Sequence, residues 1–234
     1  MLKKLQLFIA VFLLSSSAFA QVPPTTNPIV QLEVNVWHKD QVQKGIIRIE
    51  LFQDKAPITV KNFLAYVQSG FYNNTVFHRV IPHFMIQAGG HINDEHLTFK
   101  KGEAPIENEA KVSSLKNQFG TISMARSVDK DSASSEFFIN TWNNEFLDYN
   151  PKEIEKVIQD KTLTEEDRTL RVNRYWGYAV FGKVFPGSEG MNTIKRIANL
   201  ETSEKEVSYG GELFKFQDVP IHPAVITSIQ VISP

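Results

Sequence analysis

Short apolar runs, separated by polar or turn-forming residues, recur along most of this 234-residue chain. Apolar and polar residues alternate within several of them, which is typical of strands that turn one face toward a core. A sheet of many short strands leaves exposed edges unless it closes on itself. The runs therefore predict a mainly β fold, a closed eight-stranded antiparallel barrel. They are "IVQLEVNV" (29–36), "GIIRIELF" (45–52), "NNTVFHRVI" (73–81), "FMIQAGG" (84–90), "GTISMAR" (120–126), "SEFFINTW" (135–142), "YAVFGKVF" (178–185) and "PAVITSIQVI" (223–232).

Two amphipathic segments, far apart in the sequence, predict α-helices that cap this barrel. In the first, residues 56–70, Pro57 suits a first helical turn and Gly70 suits a C-terminal cap. In the second, residues 190–200, apolar side chains such as Ile194 fall on one helical face.

One charge-dense segment, residues 150–176, interrupts the series of strands and has a helical pattern. Pro151 suits a first turn, and Thr164 with Asp167 resembles a capping box. The segment predicts a helical hairpin inserted between strands. It is either a solvated surface excursion or a platform that contacts other proteins.

The N-terminus has the order of a secretory signal peptide. Lys3 and Lys4 precede an apolar run at 7–14, and small residues follow it up to Ala20. The run is shorter than the roughly 20 residues that span a bilayer, so we expect cleavage after Ala20 rather than a membrane anchor.

Cleavage would leave a flexible leader, residues 21–28, and one domain, residues 29–234. The chain has no cysteine, so an exported protein of this sequence must depend on its apolar core rather than on disulfides. Its formal net charge of −1 and the lack of a basic block argue against a nucleic-acid partner.

The run "FHRVIPHFMIQ", residues 77–87, places a guanidinium among apolar residues. Burying a charge is costly unless it is paired. Strand alternation puts Arg79, Ile81 and His83 on one face. The step to Pro82 disturbs that alternation, so periodicity alone does not identify the neighbours of Arg79.

Four motifs resemble those of the cyclophilins, the peptidyl-prolyl cis-trans isomerase family. They are "GFYNNTVFHRVIPHFMIQAGG", "GTISMARS", "SEFFIN" and "YAVFGKV", and they occur in family order from about residue 30 to the C-terminus. The signal sequence and "SMARSVDKDSASSEFFIN" are similar to the bacterial exported branch, which implies a periplasmic location.

The resemblance implies a role for each matching residue. Arg79 corresponds to the catalytic arginine, His78 to its neighbour, and Gln87 to a glutamine that helps hold it. The proline pocket and its rim correspond to Ile81, Phe84, Met85, Phe138, Phe146 and Leu147. The strand segment that pairs with the peptide corresponds to Ala125 and Arg126, and the remaining substrate contacts to Glu136 and Tyr178.

Several of these positions depart from the family pattern. Glu136 stands where glutamine is usual, and an ionised carboxylate accepts hydrogen bonds but cannot donate them. We expect reduced but measurable isomerase activity, because Glu136 either weakens peptide binding or pairs with Arg79 or Arg126 and alters the local charge. Phe146 replaces a tryptophan found in many eukaryotic members, which implies weaker binding of cyclosporin, the family's inhibitor.

The resemblance implies no metal and no cofactor, because isomerisation breaks no covalent bond. The expected partners are unfolded or folding polypeptides that contain proline, and the expected state is a monomer. One alternative is a module that binds or chaperones proline segments with weak or no catalysis. A metal site is a less favoured alternative, because its histidine spacing matches no standard pattern: its residues would be His78, His83, His91 and His96, with Asp94 and Glu95.

Overall fold

The computed structural model describes residues 26–233, so the predicted signal peptide and most of the predicted leader lie outside the described residues. The described part is mainly β. Its strands are β1 (Ile29–His38), β2 (Gln41–Leu51), β3 (Thr75–Val76), β4 (Arg79–Ile81), β5 (Met85–Ala88), β6 (Thr121–Met124), β7 (Phe137–Asn140), β8 (Val180–Val184), β9 (Thr202–Tyr209), β10 (Glu212–Pro220) and β11 (Val225–Ser233).

Nine of these strands form one curled antiparallel sheet in the order β3-β11-β1-β2-β8-β6-β7-β5-β4. The prediction of a mainly β antiparallel fold is confirmed, but the sheet has nine strands rather than eight and does not close into a barrel. The run at residues 73–81 is not one strand, because β3 pairs with β11 whereas β4 pairs with β5. The chain itself crosses the gap between the two ends of the sheet, through Phe77 and His78, and the hydrogen-bonded ladder does not close.

The remaining two strands, β9 and β10, form a separate antiparallel ribbon that the sequence analysis did not predict. Val207 and Val219 of this ribbon pack with Val76 and Leu97 in a small apolar cluster of their own. The pairing of β10 with β9 is irregular between Phe216 and Val219. The ribbon thus lies against the segment that leads into β4.

The helices are α1 (Pro57–Gln68), α2 (Ala110–Ser113), α3 (Pro151–Gln159), α4 (Glu165–Tyr175) and α5 (Glu189–Ala198). The two predicted capping helices correspond to α1 and α5, and Pro57 occupies the first turn of α1 as expected. Phe63 of α1 and Ile194 of α5 are fully buried in the core enclosed by the sheet. Among residues 26–233, no helix has the length and apolar character to cross a membrane.

Helices α3 and α4 form the predicted hairpin insertion. The Asn150 side chain accepts a hydrogen bond from the Glu153 amide and caps α3. The Thr164 hydroxyl accepts from the Asp167 amide at 3.1 Å and caps α4. Both caps satisfy amides that a helix start leaves unpaired, so each boundary is fixed locally.

Side-chain alternation in the central strands separates two apolar surfaces. Phe137 and Ile139 of β7 point into the main core, and so does Ile86 of β5. Phe138 and Met85, their neighbours in sequence, belong to a second, smaller cluster. Because successive residues of a strand face opposite sides of a sheet, the second cluster lies on the outer face.

Candidate active site

The outer-face cluster is the apolar floor of the candidate site. Met85, Phe138 and Leu147 form its buried centre, with 2%, 4% and 8% of their surface exposed. Four partly buried residues surround them: Ile81, Phe84, Ala125 and Tyr178. A folded chain that maintains an apolar cluster outside its main core has a surface suited to an apolar ligand group.

Polar side chains hold the loops that supply part of this floor. Leu147 ends a short 3-10 helix, Glu145–Leu147, and its carbonyl accepts a hydrogen bond from the Asn117 amide group. The Asn144 side chain donates to the Phe84 carbonyl at 2.8 Å. These bonds fix the turn between β4 and β5 relative to Leu147, so the floor is formed before any ligand arrives.

A pocket of about 100 Å³ opens above this floor. Its lining combines aliphatic and aromatic surface with two guanidinium groups and one amide. The lining residues are Arg79, Phe84, Met85, Gln87, Ala125, Arg126, Phe138, Leu147 and Tyr178. A small apolar ring fits such a lining, with polar groups at the rim to fix its orientation.

Arg79 stands at the edge of the pocket on β4, directly across the ladder from Gln87. Its side chain is 42% exposed, and Nε lies 3.8 Å from Asp218 Oδ2. That separation is longer than a hydrogen bond, so Asp218 orients the guanidinium without using its donors at close range. Asp218 has a φ of +61° in the irregular part of β10, which turns it out of the regular ladder.

Glu136 lies beside the pocket and links Gln87 to two histidines. Gln87 Nε2 donates to Glu136 Oε2 at 2.6 Å. The same oxygen lies 3.6 Å from His78 Nε2, and Oε1 lies 3.9 Å from His91 Nε2. Glu136 therefore contacts Gln87, His78 and His91 rather than pairing with Arg79 or Arg126, the two partners considered from sequence.

Burial controls the protonation of this group. It lowers the pKa of His78 from 6.5 to about 3. The pKa of His91 falls to about 4, through burial first and the neighbouring His78 second. Burial raises the pKa of Glu136, although His91 and the Gln87 amide oppose that rise. Both histidines are thus neutral at pH 7, so their contacts with Glu136 are not ion pairs.

Arg126 joins the site to the helical hairpin. Its Nε donates to the Gly177 carbonyl at 3.0 Å, and one terminal nitrogen donates to the Asn173 carbonyl of α4 at 2.8 Å. The guanidinium carbon also lies 4.5 Å from the centre of the Tyr178 ring. Burial lowers the pKa of Arg126 below its ordinary value, and the group remains a cation that ties the hairpin to the pocket wall.

Every site residue named from the sequence lies in or next to this pocket. Ile81 packs against the floor, and Phe146, 69% exposed, stacks on Phe84 with ring centres 5.5 Å apart. His78 lies behind the pocket with Glu136. Asp218 was missed, because it belongs to the ribbon that the sequence analysis did not predict.

The predicted histidine group is only partly assembled. His78 and His91 are buried side by side with ring centres 4.3 Å apart. His83 and His96 are exposed, and His83 packs on Trp142. In the structure, the third potential ligand beside His78 and His91 is Glu136. Local sequence spacing could not indicate this residue, because it comes from a segment that is distant in the sequence.

A larger cavity of about 440 Å³ lies on the other side of the turn between β4 and β5, near Trp142. Lys195 and His83 are the titratable groups in its lining. It does not include Arg79 or Gln87, so chemistry rather than size identifies the smaller pocket as the candidate site.

Comparison with known proteins agrees with this geometry. Residues 34–231 match the family described as cyclophilin type peptidyl-prolyl cis-trans isomerase/CLD. A peptidyl-prolyl cis-trans isomerase of Acinetobacter baylyi is 39% identical, over 99% of this chain and 96% of its own. Peptidyl-prolyl cis-trans isomerase A of Dickeya dadantii is 41% identical, over 80% of each chain.

A solved structure gives the same fold. It is a cyclophilin type peptidyl-prolyl cis-trans isomerase of Cryptosporidium parvum, in the presence of the dipeptide Ala-Pro. The two chains are 26% identical with a TM-score of 0.58, and the alignment covers 88% of this chain and 99% of the other.

Proposed function

This chain belongs to the cyclophilin-type peptidyl-prolyl cis-trans isomerase family, and from that premise we propose that it isomerises X-Pro bonds of exported polypeptides, with Arg79 acting on the reacting bond. The observation that carries the proposal is the position of Arg79 at the rim of an apolar pocket that includes Phe84 and Phe138. A proline ring enters the pocket, and the adjoining peptide carbonyl turns outside it.

The reaction needs no nucleophile, because only rotation about an amide bond has to be accelerated. Amide resonance sets a barrier of roughly 18–20 kcal/mol, and uncatalysed isomerisation takes tens of seconds or longer. The lone pair of the prolyl nitrogen becomes a hydrogen-bond acceptor only when the amide twists and resonance is lost. A donor aimed at that nitrogen therefore stabilises the twisted state more than either planar isomer, which is the condition for catalysis.

Arg79 is suited to be that donor. A guanidinium stays protonated at any physiological pH and carries five N–H groups. Its neighbour Asp218 lies 3.8 Å away, so it can hold the side chain in place without occupying a donor at hydrogen-bond distance. Met85, Phe138 and Leu147 meanwhile hold the apolar half of the substrate.

The test is an isomerisation assay on a proline peptide with Arg79→Ala and Arg79→Lys variants. We expect Arg79→Ala to lower kcat/KM by about 10²–10³-fold, as for other single transition-state donors. The lysine variant keeps the charge but loses the planar guanidinium, so we expect it to recover only a small part of the lost kcat/KM. Arg174→Ala, on the exposed side of α4, is the matched control and should behave as wild type.

A binding module that holds proline segments with little catalysis is the second candidate. Glu136, which lacks the amide donor usual in the family, and the hairpin beside the pocket favour it. If the wild type binds a proline peptide but does not accelerate its isomerisation, the protein functions as a binding module. Loss of turnover in Arg79→Ala with retained peptide binding supports the enzyme.

We place this activity in the bacterial periplasm, on unfolded or folding proteins, and expect a monomer that works without a cofactor. The support is the predicted signal peptide, which the described residues do not include. N-terminal sequencing of the protein recovered from an expressing bacterium should begin at Gln21. A chain that keeps residues 1–20 would contradict the export proposal.

A further inference from the structure

Behind the proline pocket, three potential metal ligands meet in a confined space. They are His78, His91 and Glu136, and one ligand atom from each lies within 4.8 Å of the other two. Both histidines are only 2% exposed, and the Glu136 side chain is 23% exposed. Glu136 therefore offers the route by which an ion could enter.

The distances are close to those of a loaded site. Zinc binds imidazole nitrogen and carboxylate oxygen at about 2.0–2.2 Å, so two ligands at a tetrahedral angle lie about 3.3–3.5 Å apart. His78 Nε2 and His91 Nε2 lie 3.6 Å and 3.9 Å from the two Glu136 oxygens. All three ligand atoms lie within 4.8 Å of one another, so side-chain movements of about 1 Å would bring them to binding distance of one ion.

His91 is already oriented as a ligand. Its Nδ1 lies 2.6 Å from the Leu97 carbonyl oxygen. A carbonyl can only accept, so Nδ1 carries the proton and Nε2 presents a lone pair toward Glu136. Metal-binding histidines usually donate their other ring N–H to a carboxylate, a backbone carbonyl or water, which fixes the orientation of the ring.

His78 presents Nε2 to Glu136, so the ring nitrogen that could bind an ion faces the other two ligands, and its Nδ1 is buried on the opposite edge of the ring. The Glu136 carboxylate contacts the Gln87 amide and the two imidazoles, and none of these partners among the described residues is a lysine or arginine side chain. A partly buried carboxylate without a cationic partner at contact distance would be stabilised by a cation between the three ligands.

We propose that His78, His91 and Glu136 bind one zinc-type divalent cation, and that its binding inhibits the isomerase by drawing Glu136 away from Gln87. Two imidazoles and one carboxylate suit zinc and its neighbours, whereas magnesium and calcium prefer all-oxygen ligands. Water on the open side of Glu136 would complete the coordination. The binding half is independent of the proposed function, and the inhibition half rests on it.

Cobalt(II) titration of the purified protein, freed of metal by a chelator, tests the binding half directly. We expect one equivalent of cobalt to give the visible absorption of a four-coordinate site, and zinc to abolish that absorption. His91→Phe removes one ligand and keeps an aromatic ring against Phe99 and Phe216. It should weaken binding by at least about tenfold.

His96→Phe is the matched control, because His96 is an exposed histidine on the same segment and should leave the titration unchanged. If His91→Phe fails to fold, Glu136→Gln serves instead, since it removes the carboxylate and can keep an oxygen for Gln87. Absence of a saturable one-to-one site in the wild type would overturn the proposal. So would equal cobalt affinity in the wild type and the folded ligand variant.

Isomerase assays test the inhibition half. One equivalent of zinc should lower kcat/KM several-fold in the wild type and in His96→Phe, and a chelator should restore it. His91→Phe should resist the same zinc concentration. Cobalt binding without any change in kcat/KM would overturn the inhibition half, and an enzyme inactive before metal is added would instead contradict the proposed function.

Discussion

Glu136, which stands where glutamine is usual in the family, changes the hydrogen bonding and the charge of the site. Its carboxylate accepts a 2.6 Å hydrogen bond from Gln87, and it lies next to two buried neutral histidines. An ionised carboxylate has no proton to donate to a substrate carbonyl, whereas an amide has two. The residue also carries a charge that peptide binding would further desolvate.

We expect Glu136→Gln to raise kcat/KM on a proline peptide several-fold at pH 8. The substitution restores a donor toward the substrate backbone, and its amide oxygen can still accept from Gln87. Because burial raises the pKa of Glu136, the wild-type carboxyl gains a proton and a donor as the pH falls. The ratio of variant to wild-type kcat/KM should therefore shrink toward pH 5, and equal activities at pH 8 would contradict this role.

Phe146 should set the affinity for cyclosporin. Its ring is 69% exposed and stacks on Phe84, so Phe146→Trp can be accommodated at the surface without repacking the core. A new indole N–H that reaches an acceptor on the inhibitor should contribute about 1 kcal/mol, or about fivefold in Kd. A fluorescence titration measures this, and an unchanged Kd would show that the indole finds no acceptor here.

Most individual residues of the site could be predicted from the sequence, but only through the family motifs. Alternation alone separates Phe138 from Phe137, yet it does not reveal which of the two faces the core. Asp218 could not be predicted as part of the site. Its position depends on a positive φ in the irregular part of β10, and no short sequence motif marks that irregularity.

At the scale of elements, Arg126 joins the α3–α4 hairpin to the pocket wall. Two of its hydrogen bonds go to the backbone carbonyls of Asn173 and Gly177, and its guanidinium covers the Tyr178 ring. Tyr178 in turn contacts Phe138 edge-on at 5.6 Å. The hairpin and the pocket floor are therefore mechanically connected.

Arg126→Lys should loosen this connection while keeping the charge. A lysine cannot reproduce the fork that donates to two carbonyls and covers a ring, so we expect faster amide hydrogen exchange in α4 and a KM raised more than kcat is lowered. Hydrogen-exchange mass spectrometry of 165–175 and steady-state kinetics measure the two effects. Arg174→Lys, on the exposed face of α4, is the control, and unchanged exchange in Arg126→Lys would contradict the link.

The hairpin shows what local sequence can specify, and the β9–β10 ribbon shows what it cannot. Thr164 and Asp167 form the cap that their spacing predicts, because capping is a contact within one helical turn. Most ribbon residues are exposed, and few apolar positions such as Val207 and Val219 are buried. Its strands consequently lack the apolar alternation that marked the others. The split of the 73–81 run depends on a choice of partner strands, β11 or β5, which is a tertiary property.

At the scale of the whole molecule, one core without disulfides carries the stability. The core and the site are built on the same strands. Side chains on the inner face of the sheet form the core, and side chains on its outer face form the site. His78 lies where the chain crosses between the two ends of the sheet, and His91 packs against it, so their protonation affects the global fold rather than one loop. Acid should therefore unfold this protein through them.

The direction in which stability changes with pH follows from how many protons the folded and unfolded states bind. Below pH 6.5 the unfolded chain protonates His91, whereas the folded chain does so only near its lowered pKa of about 4. The unfolded state then binds more protons, and stability falls as the pH drops from about 6.5 to 4. His78, with a pKa of about 3, acts in the same direction. Glu136, whose pKa is raised, acts in the opposite direction and offsets part of the loss.

His91→Phe should therefore lose less stability in acid than the wild type. Between pH 7.5 and 4.5 the difference in unfolding free energy between the two should move in favour of the variant by about 2–3 kcal/mol. Urea unfolding at both pH values, with chelator present to exclude metal, measures this difference, and His96→Phe should track the wild type. If His91→Phe and wild type lose equal stability, protonation of the buried His91 is not what limits the fold in acid, and exposed carboxylates would have to account for the loss.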